Sequence, residues 1–239
     1  MKSFMKFRKK IQYIWDYYKF PLVVLCIFLY VIGYFLYGHF TRKDTILYTA
    51  LVNVSASESL TRQLSTNFIP YIKEDSSKKE LQLYTGLYLT DDENNPNHEY
   101  TYASRMKILA SIDGEQLDVV LMNKESFDAF SQNGYLYNLE ELLSNEYPAL
   151  YEKWKPYLVT NTIILEDNST DVQLDSSISY QAVTEEAPTG LAISQTGLLH
   201  DAGFSDTVYL GIVANTPRAD TAVHYIQYLT TSKKSLESN

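Results

Sequence analysis

The sequence predicts an α/β fold: a mainly parallel sheet covered by helices, set behind a single N-terminal transmembrane helix. Three observations predict it. From Thr45 onward, β-rich apolar runs alternate with amphipathic helical stretches, the pattern of strands joined by helical crossovers. Between Phe20 and Phe40 no residue carries a full charge, and most are Leu, Val, Ile, Phe or Tyr. Charge is partitioned around that run. Met1–Lys43 holds eight Lys/Arg against the single acid Asp16, whereas Asp44–Asn239 holds 12 Lys/Arg against 28 Asp/Glu.

The 239 residues therefore divide into a basic cytoplasmic segment (1–19), a membrane span (20–40), an outer domain (44–231) and a polar tail (232–239). At 1.5 Å per residue the uncharged run makes a helix about 31 Å long, close to the ~30 Å hydrocarbon core. Pro21 falls in its first turn, where a missing N–H costs nothing. Lys2, Lys6, Arg8, Lys9, Lys10 and Lys19 hold the N-terminus in the cytoplasm. The run ends in Tyr37-Gly38-His39-Phe40 with no small-x-small cleavage site, so it reads as a retained single-pass anchor with the outer domain extracellular. Phe7, Ile11, Ile14 and Tyr18 fit either a surface-lying helix or a plain basic flank. Tyr30, Tyr34 and Tyr37 share a face that suits an interfacial aromatic belt or, second, a partner helix. The one cysteine, Cys26, lies inside the run behind Val24 and Leu25, which do not suit a lipoprotein site. An outer domain without cysteine fits the surface of a Gram-positive bacterium. Its acidity excludes nucleic acid as a partner, and 45% hydrophobic residues with 14% aromatics exclude disorder.

Taken in order, Thr45–Val54 reads as a strand. Ser55-Ala56-Ser57-Glu58 reads as a capping box with Ser55 as the cap, opening a helix with Leu60, Leu64, Phe68, Tyr71 and Ile72 on one face and Pro70 near its end. Glu80–Thr90 returns to strand character, and Asp91–Asn97 is a polar turn. Tyr102–Ile112 predicts a helix facing inward through Met106, Leu109 and Ile112. Leu117–Met122 is a short apolar strand of the kind buried on both sides. Glu125–Gln132 predicts a helix stopped by Asn133-Gly134. Pro148–Leu158 reads as a helix. Thr162–Leu165 and Ser179–Val183 read as strands around an acidic loop, Glu166–Asp175. Val208–Ala214 is a further buried strand, followed by a helix capped by Thr216, opened by Pro217 and facing inward through Ala219, Ala222, Ile226 and Leu229.

Ile108–Leu143 resembles the first lobe of the extracellular solute-binding proteins, the type 2 periplasmic-binding-protein-like family. The likeness lies in Leu117-Asp118-Val119-Val120 and then Gly134-Tyr135-Leu136-Tyr137-Asn138-Leu139. Gly211–Pro217 with Ala219–Leu229 is similar to that family's late strand and helix, and Thr45–Ile72 to its first strand and helix. The resemblance implies a periplasmic-binding-protein-like domain that captures a small polar ligand (sugar, peptide or amino acid) for an ABC-transporter permease, another membrane protein or a sensor. Only 64 residues separate Leu143 from Val208, enough for a reduced second lobe or merely for decoration of the first.

In open α/β sheets, ligands lie beyond the carboxyl ends of the strands, against helix N-termini. That rule selects Asn53, Ser55 and Ser57 after the first strand, Asn123 and Ser126 after the LDVVLM strand, and Asn215 and Thr216 after VYLGIVA, as one ligand-binding mouth. Ser55, Ser126 and Thr216 also read as helix caps. Tyr84, Tyr88 and Tyr137 could add stacking faces.

Catalysis leaves no trace in these residues. His39, His98, His200 and His224 lack spaced metal partners, and no HExxH, G-x-S-x-G, Walker or G-x-G-x-x-G pattern occurs. Asp91-x-Glu93-x-Asn95 begins like a calcium loop, but Pro96 stands where the glycine is needed and Tyr102 where the loop closes. The expectation is a protein that is not an enzyme and takes no cofactor or metal. It is either a membrane-anchored solute-binding-like protein or a non-catalytic accessory subunit of a membrane complex with a vestigial cleft.

Overall fold

The computed structural model describes residues 19–35, 43–92, 94–175, 177–194, 197–202, 204 and 206–231. Two units meet at Lys43/Asp44. In the first, residues 19–35 form a helix, α1, and every one of them is exposed, Phe20, Phe28 and Tyr30 included. Among the described residues no helix is long and apolar enough to cross a membrane. The span expected over Phe20–Phe40 is described only as far as residue 35. The basic stripe through Tyr18, the run's end at 36–40 and the tail 232–239 lie outside the described residues.

The second unit is a mixed α/β domain on a six-stranded sheet. Its elements are β1 (Asp44–Val52), α2 (Glu58–Ser65), α3 (Phe68–Tyr71), β2 (Lys79–Leu87), α4 (His98–Asp113), β3 (Val119–Met122), α5 (Lys124–Gln132) and α6 (Leu139–Glu146). There follow α7 (Pro148–Trp154), a 3-10 turn (Lys155–Tyr157), β4 (Leu158–Asp167), α8 (Ser169–Leu174), β5 (Ala182–Ala192), α9 (Gly197–Asp201), β6 (Tyr209–Ile212) and α10 (Ala219–Thr230). Strand order is β2-β1-β3-β6-β5-β4. β1 pairs in parallel with β2 and β3, and the β3–β6, β6–β5 and β5–β4 pairs are antiparallel. Four strands (β1, β2, β3 and β5) thus point one way and make the sheet mostly parallel, while β6 and β4 run against them.

Period-two alternation sends each central strand's side chains to both faces. Leu47, Leu51, Val119, Leu121, Leu210 and Ile212 pack with Leu60, Leu64, Phe68, Leu139, Trp154 and Ile226 on one side. Ala50, Val52, Val120 and Met122 pack with Ile108, Ile112, Phe127 and Phe130 on the other. Helices therefore cover both faces, as the all-apolar β3 requires.

Local signals place most elements, with physical exceptions. Ser57, not Ser55, caps α2, accepting from Leu60 N at 3.2 Å, and the helix breaks at Asn67 before the short α3 that holds Pro70. α4 starts at His98 and buries Thr101, Ser104, Ile108 and Ile112, leaving Met106 48% exposed. Its inner face is half polar because Thr101 Oγ1 accepts from Asn95 Nδ2 (2.8 Å) and Ser104 Oγ accepts from Tyr88 N (3.2 Å). Gly134 stops α5 with φ 66°, as expected. Residues 143–208 build no second lobe among those described. Instead the antiparallel β4–β5 pair extends the one sheet, so of the two alternatives for this stretch the described residues show decoration of the first lobe in place of a small second one.

α10 is held partly by tyrosine hydroxyls. Tyr225 Oη donates to Leu64 O (2.8 Å) and Tyr228 Oη to Gln63 O (2.6 Å), satisfying two carbonyls that the end of α2 leaves open. Burial pushes both phenols above their ordinary range, and neighbouring tyrosines add to it. Tyr147 is pushed up to about 12, by burial first and then by its bond to Asp220. The unfolded chain loses these protons near pH 10, roughly the free phenol value, while the folded chain retains them. The stabilisation is therefore fully present below pH 10 and declines as pH rises toward 12. Tyrosinate absorbance of the folded protein should show a late-titrating class that appears together with unfolding; smooth titration centred near 10 would contradict this.

Candidate functional site

The carboxyl ends of β1 and β3 lie side by side, with Val52 opposite Met122. Asn53 follows β1 with φ 56°, in the left-handed region that asparagine tolerates. Its side chain holds both backbone polar groups of one residue: Nδ2 donates to Leu89 O (2.5 Å) and Oδ1 accepts from Leu89 N (2.9 Å). Nδ2 also reaches Asn123 Oδ1 at 3.4 Å. Asn123 caps α5, accepting from Ser126 N at 3.0 Å. Asn53 and Asn123 are thus brought together as expected, but their polar atoms hold backbone. Ser126 is fully buried within α5, its Oγ making no hydrogen bond to the described residues, so it is not a cap. Ser57 caps α2, and Ser55 is exposed.

Asn215 and Thr216 are not at this mouth. Because β6 is antiparallel to β3, its last residue, Ile212, lies opposite Val119 at the start of β3. Asn215 Nδ2 donates to Ile112 O (2.7 Å), and Thr216 Oγ1 donates to the buried Asp118. Thr216 does not cap α10 either; Arg218 occupies that position, and its N–H donates to Thr216 Oγ1 at 3.0 Å. Asp118, which the sequence reading passed over, is the hub of this opposite end. Its carboxylate accepts from Tyr48 N (2.7 Å), Arg218 Nε (2.9 Å) and the Thr216 hydroxyl. The Arg218 guanidinium lies over the Tyr48 ring (4.9 Å), Tyr48 stacks on Tyr84 (6.4 Å between centroids), and Lys107 covers Tyr84 (4.7 Å). Tyr84 is thus half-buried, with its ring in contact with Tyr48 and Lys107. Tyr137 packs partly into the core, and Tyr88 is 36% exposed.

A cavity of about 220 Å³ lies between α4, α5 and the 89–91 segment, and none of Asn53, Ser55, Ser57, Asn123, Ser126, Asn215 and Thr216 lines it. Leu89, Ile108, Leu109, Ala129, Phe130 and Tyr135 supply apolar lining, with Thr90, Asp91, Arg105, Glu125, Gln132 and Asn133 as its polar members. Arg105 Nη2 donates to Asp91 Oδ1 at 2.9 Å. Glu125 Oε1 accepts from Thr90 Oγ1 (2.7 Å) and Asp91 N (3.2 Å). Both ionic groups are exposed and engaged with the one short loop that the Asn53 clamp fixes. Arg105, Asp91 and Glu125 were missed from sequence because they come from three separate segments. The arrangement offers one cation and two carboxylates above an apolar floor, which suits recognition of a small molecule with a charged or hydroxylated edge. Among the described residues no cluster of three or more His, Cys, Asp or Glu could hold a metal ion.

Comparison with known proteins yields little beyond this. No protein-family model matches the chain, and no curated protein matches it. A solved structure, the effector binding domain of QuiR in complex with shikimate, aligns over 83% of this chain and 99% of that one, at 10% identity and a TM-score of 0.29.

Proposed function

We propose that the chain is a non-catalytic small-molecule-binding protein, held at the outer face of a cell membrane by its N-terminal helix. The observation that supports this reading most is the α4/α5 cavity, an apolar hollow with Arg105, Asp91 and Glu125 among its polar lining. Its small volume and its Arg105, Asp91 and Glu125 rim favour an amino acid or a single sugar over an oligomer. The resemblance to solute-binding proteins is consistent with delivery to a permease or sensor. The exposed apolar face of α1, beside a strongly basic N-terminus, supports the anchor.

The test is thermal melting of the full chain against panels of amino acids, sugars and short peptides. A ligand at a hundred times its Kd adds about 2.7 kcal/mol of stability, which at about 2–4 °C per kcal/mol raises the midpoint by roughly 5–10 °C. Arg105→Ala should abolish that rise. It should move the ligand-free midpoint little, since an exposed ion pair contributes about 0–1 kcal/mol. A ligand-induced rise that survives in Arg105→Ala moves the site elsewhere.

A second reading, an accessory subunit of a membrane complex, is favoured by one feature. Residues 143–208 extend the sheet instead of forming a lobe that could close over ligand.

A further inference from the structure

The extension of the sheet ends in an arm with no counterpart inside the molecule. Among the described residues β5 meets β6 only through Leu191 and Ala192, so its outer part and that of β4 pair there only with each other. From Ala182 to Glu186 every β5 residue is exposed, as are Leu165, Glu166 and Asp167 at the end of β4. Large apolar side chains stand in water there: Leu165 is 56% exposed, Leu174 83%, Tyr180 53% and Val183 58%. A folded domain rarely gathers apolar residues at one projecting end unless something covers them.

The arm is ordered by its own bonds rather than by packing. Asp167 accepts from Ser169 N (3.0 Å) and Ser169 Oγ (2.7 Å). Asn168 bridges across to residues 179 and 181, donating to Ser179 O (3.0 Å) and accepting from Gln181 N (2.7 Å). A preorganised tip loses little entropy on docking.

Its charge is of one sign. No Lys or Arg occurs between Lys155 and Arg218, while Glu166, Asp167, Asp171, Asp175, Glu185 and Glu186 lie on the arm. Hydrogen bonds from Ser169 and Ser177 hold the Asp167 and Asp175 carboxyls below their usual range, so these stay ionised. We infer that the β4–α8–β5 arm is a docking element for another protein, one that presents an apolar groove rimmed by Lys and Arg. Anionic lipid is disfavoured by the carboxylates, since bilayer surfaces are themselves negative. A second copy is disfavoured because the outer unit offers 12 Lys/Arg against 28 Asp/Glu. This surface is separate from the α4/α5 cavity, and it stands or fails independently of ligand binding there.

The experiment places the full chain in phosphatidylcholine nanodiscs and titrates an amphipathic peptide of leucine and lysine, a stand-in for the basic-rimmed apolar surface. The same peptide with glutamate for lysine is the control. Binding of the lysine peptide should weaken about tenfold or more in Glu166→Lys/Glu185→Lys and, separately, in Leu174→Ser/Val183→Thr. It should change less than about twofold in Glu146→Lys/Glu152→Lys, a charge reversal away from the arm. All these side chains are exposed, so each variant should melt with the parent, and two unlike arm variants guard against a folding defect in one. The inference is overturned by absence of binding, by equal binding of both peptides, or by indifference to the arm substitutions. It is also overturned if those substitutions instead abolish co-flotation with phosphatidylglycerol vesicles, which would assign the arm to lipid. Loss of self-association in the same variants would assign it to a second copy and overturn it too.

Discussion

Gly197→Ala should lower the melting midpoint of the outer domain by about 8–16 °C. At φ 52° a side chain is strained before anything else is considered. The added methyl would also lie 2.0 Å from Leu229 O and 2.7 Å from Thr230 C, where α9 meets the end of α10. Both of those atoms are backbone, so relief requires one helix to move off the other. Overlap and strain of this kind belong to the rare substitutions that cost about 4 kcal/mol or more, and a domain of this size loses roughly 2–4 °C per kcal/mol. Gly134→Ala is the control. Its φ of 66° is similar, but the nearest atom to an added Cβ is Ile163 Cγ2 at 3.9 Å. Only the left-handed penalty of about 1–2 kcal/mol remains there. Equal losses in the two variants would refute the close approach of α9 to α10.

Asp118→Ala should cost about 3–5 kcal/mol, measured by urea unfolding. Removing the carboxylate strands three donors at once: Tyr48 N, the Thr216 hydroxyl and the Arg218 guanidinium, whose side chain is only 24% exposed. Removing one partner of a buried ion pair leaves the other uncompensated, which is why the loss exceeds that of any single hydrogen bond. Arg218→Ala should cost a comparable amount, because it leaves the fully buried Asp118 carboxylate without its counter-ion. A double-mutant cycle should return a coupling of about 0.5–3 kcal/mol between the two positions. A loss under about 1 kcal/mol for Asp118→Ala would mean that the Thr216–Arg218 turn is not held by this residue.

Much of the fold could be read locally. β1, β3, α5 and α10 follow from runs of side chains whose period matches their element, and Asn133-Gly134 marks the end of α5. α6 (LEELLSNE) was not foreseen, because eight residues hold barely two turns and little periodicity. Of the stripe expected to face inward on α4, Ile112 is buried and Leu109 half-buried, but Met106 faces water and Thr101, Ser104 and Ile108 complete the inner face. Thr101 and Ser104 look like surface residues until Asn95 and Tyr88 N are seen to bond their hydroxyls. The site was legible only in part. Asn53 and Asn123 were correctly drawn together from the rule about strand ends, yet both turn out to organise backbone. Arg105, Asp91 and Glu125 share no sequence pattern and meet only because the 89–91 segment crosses between α4 and α5.

What the sequence determined by itself is the set of properties that neighbouring residues carry. These are the alternation of strands and helices, the apolar run at the N-terminus, the unequal charge of the two units and the glycine that ends α5. What only the tertiary structure decided is direction and adjacency. VYLGIVA is equally apolar read either way along the chain, so nothing local tells whether β6 lies parallel or antiparallel to β3. That choice is made by non-local pairing, Val119 with Ile212 and Met122 with Tyr209. It carries Asn215 and Thr216 to the far end of the sheet, where they serve Asp118 and the α4 terminus instead of a ligand.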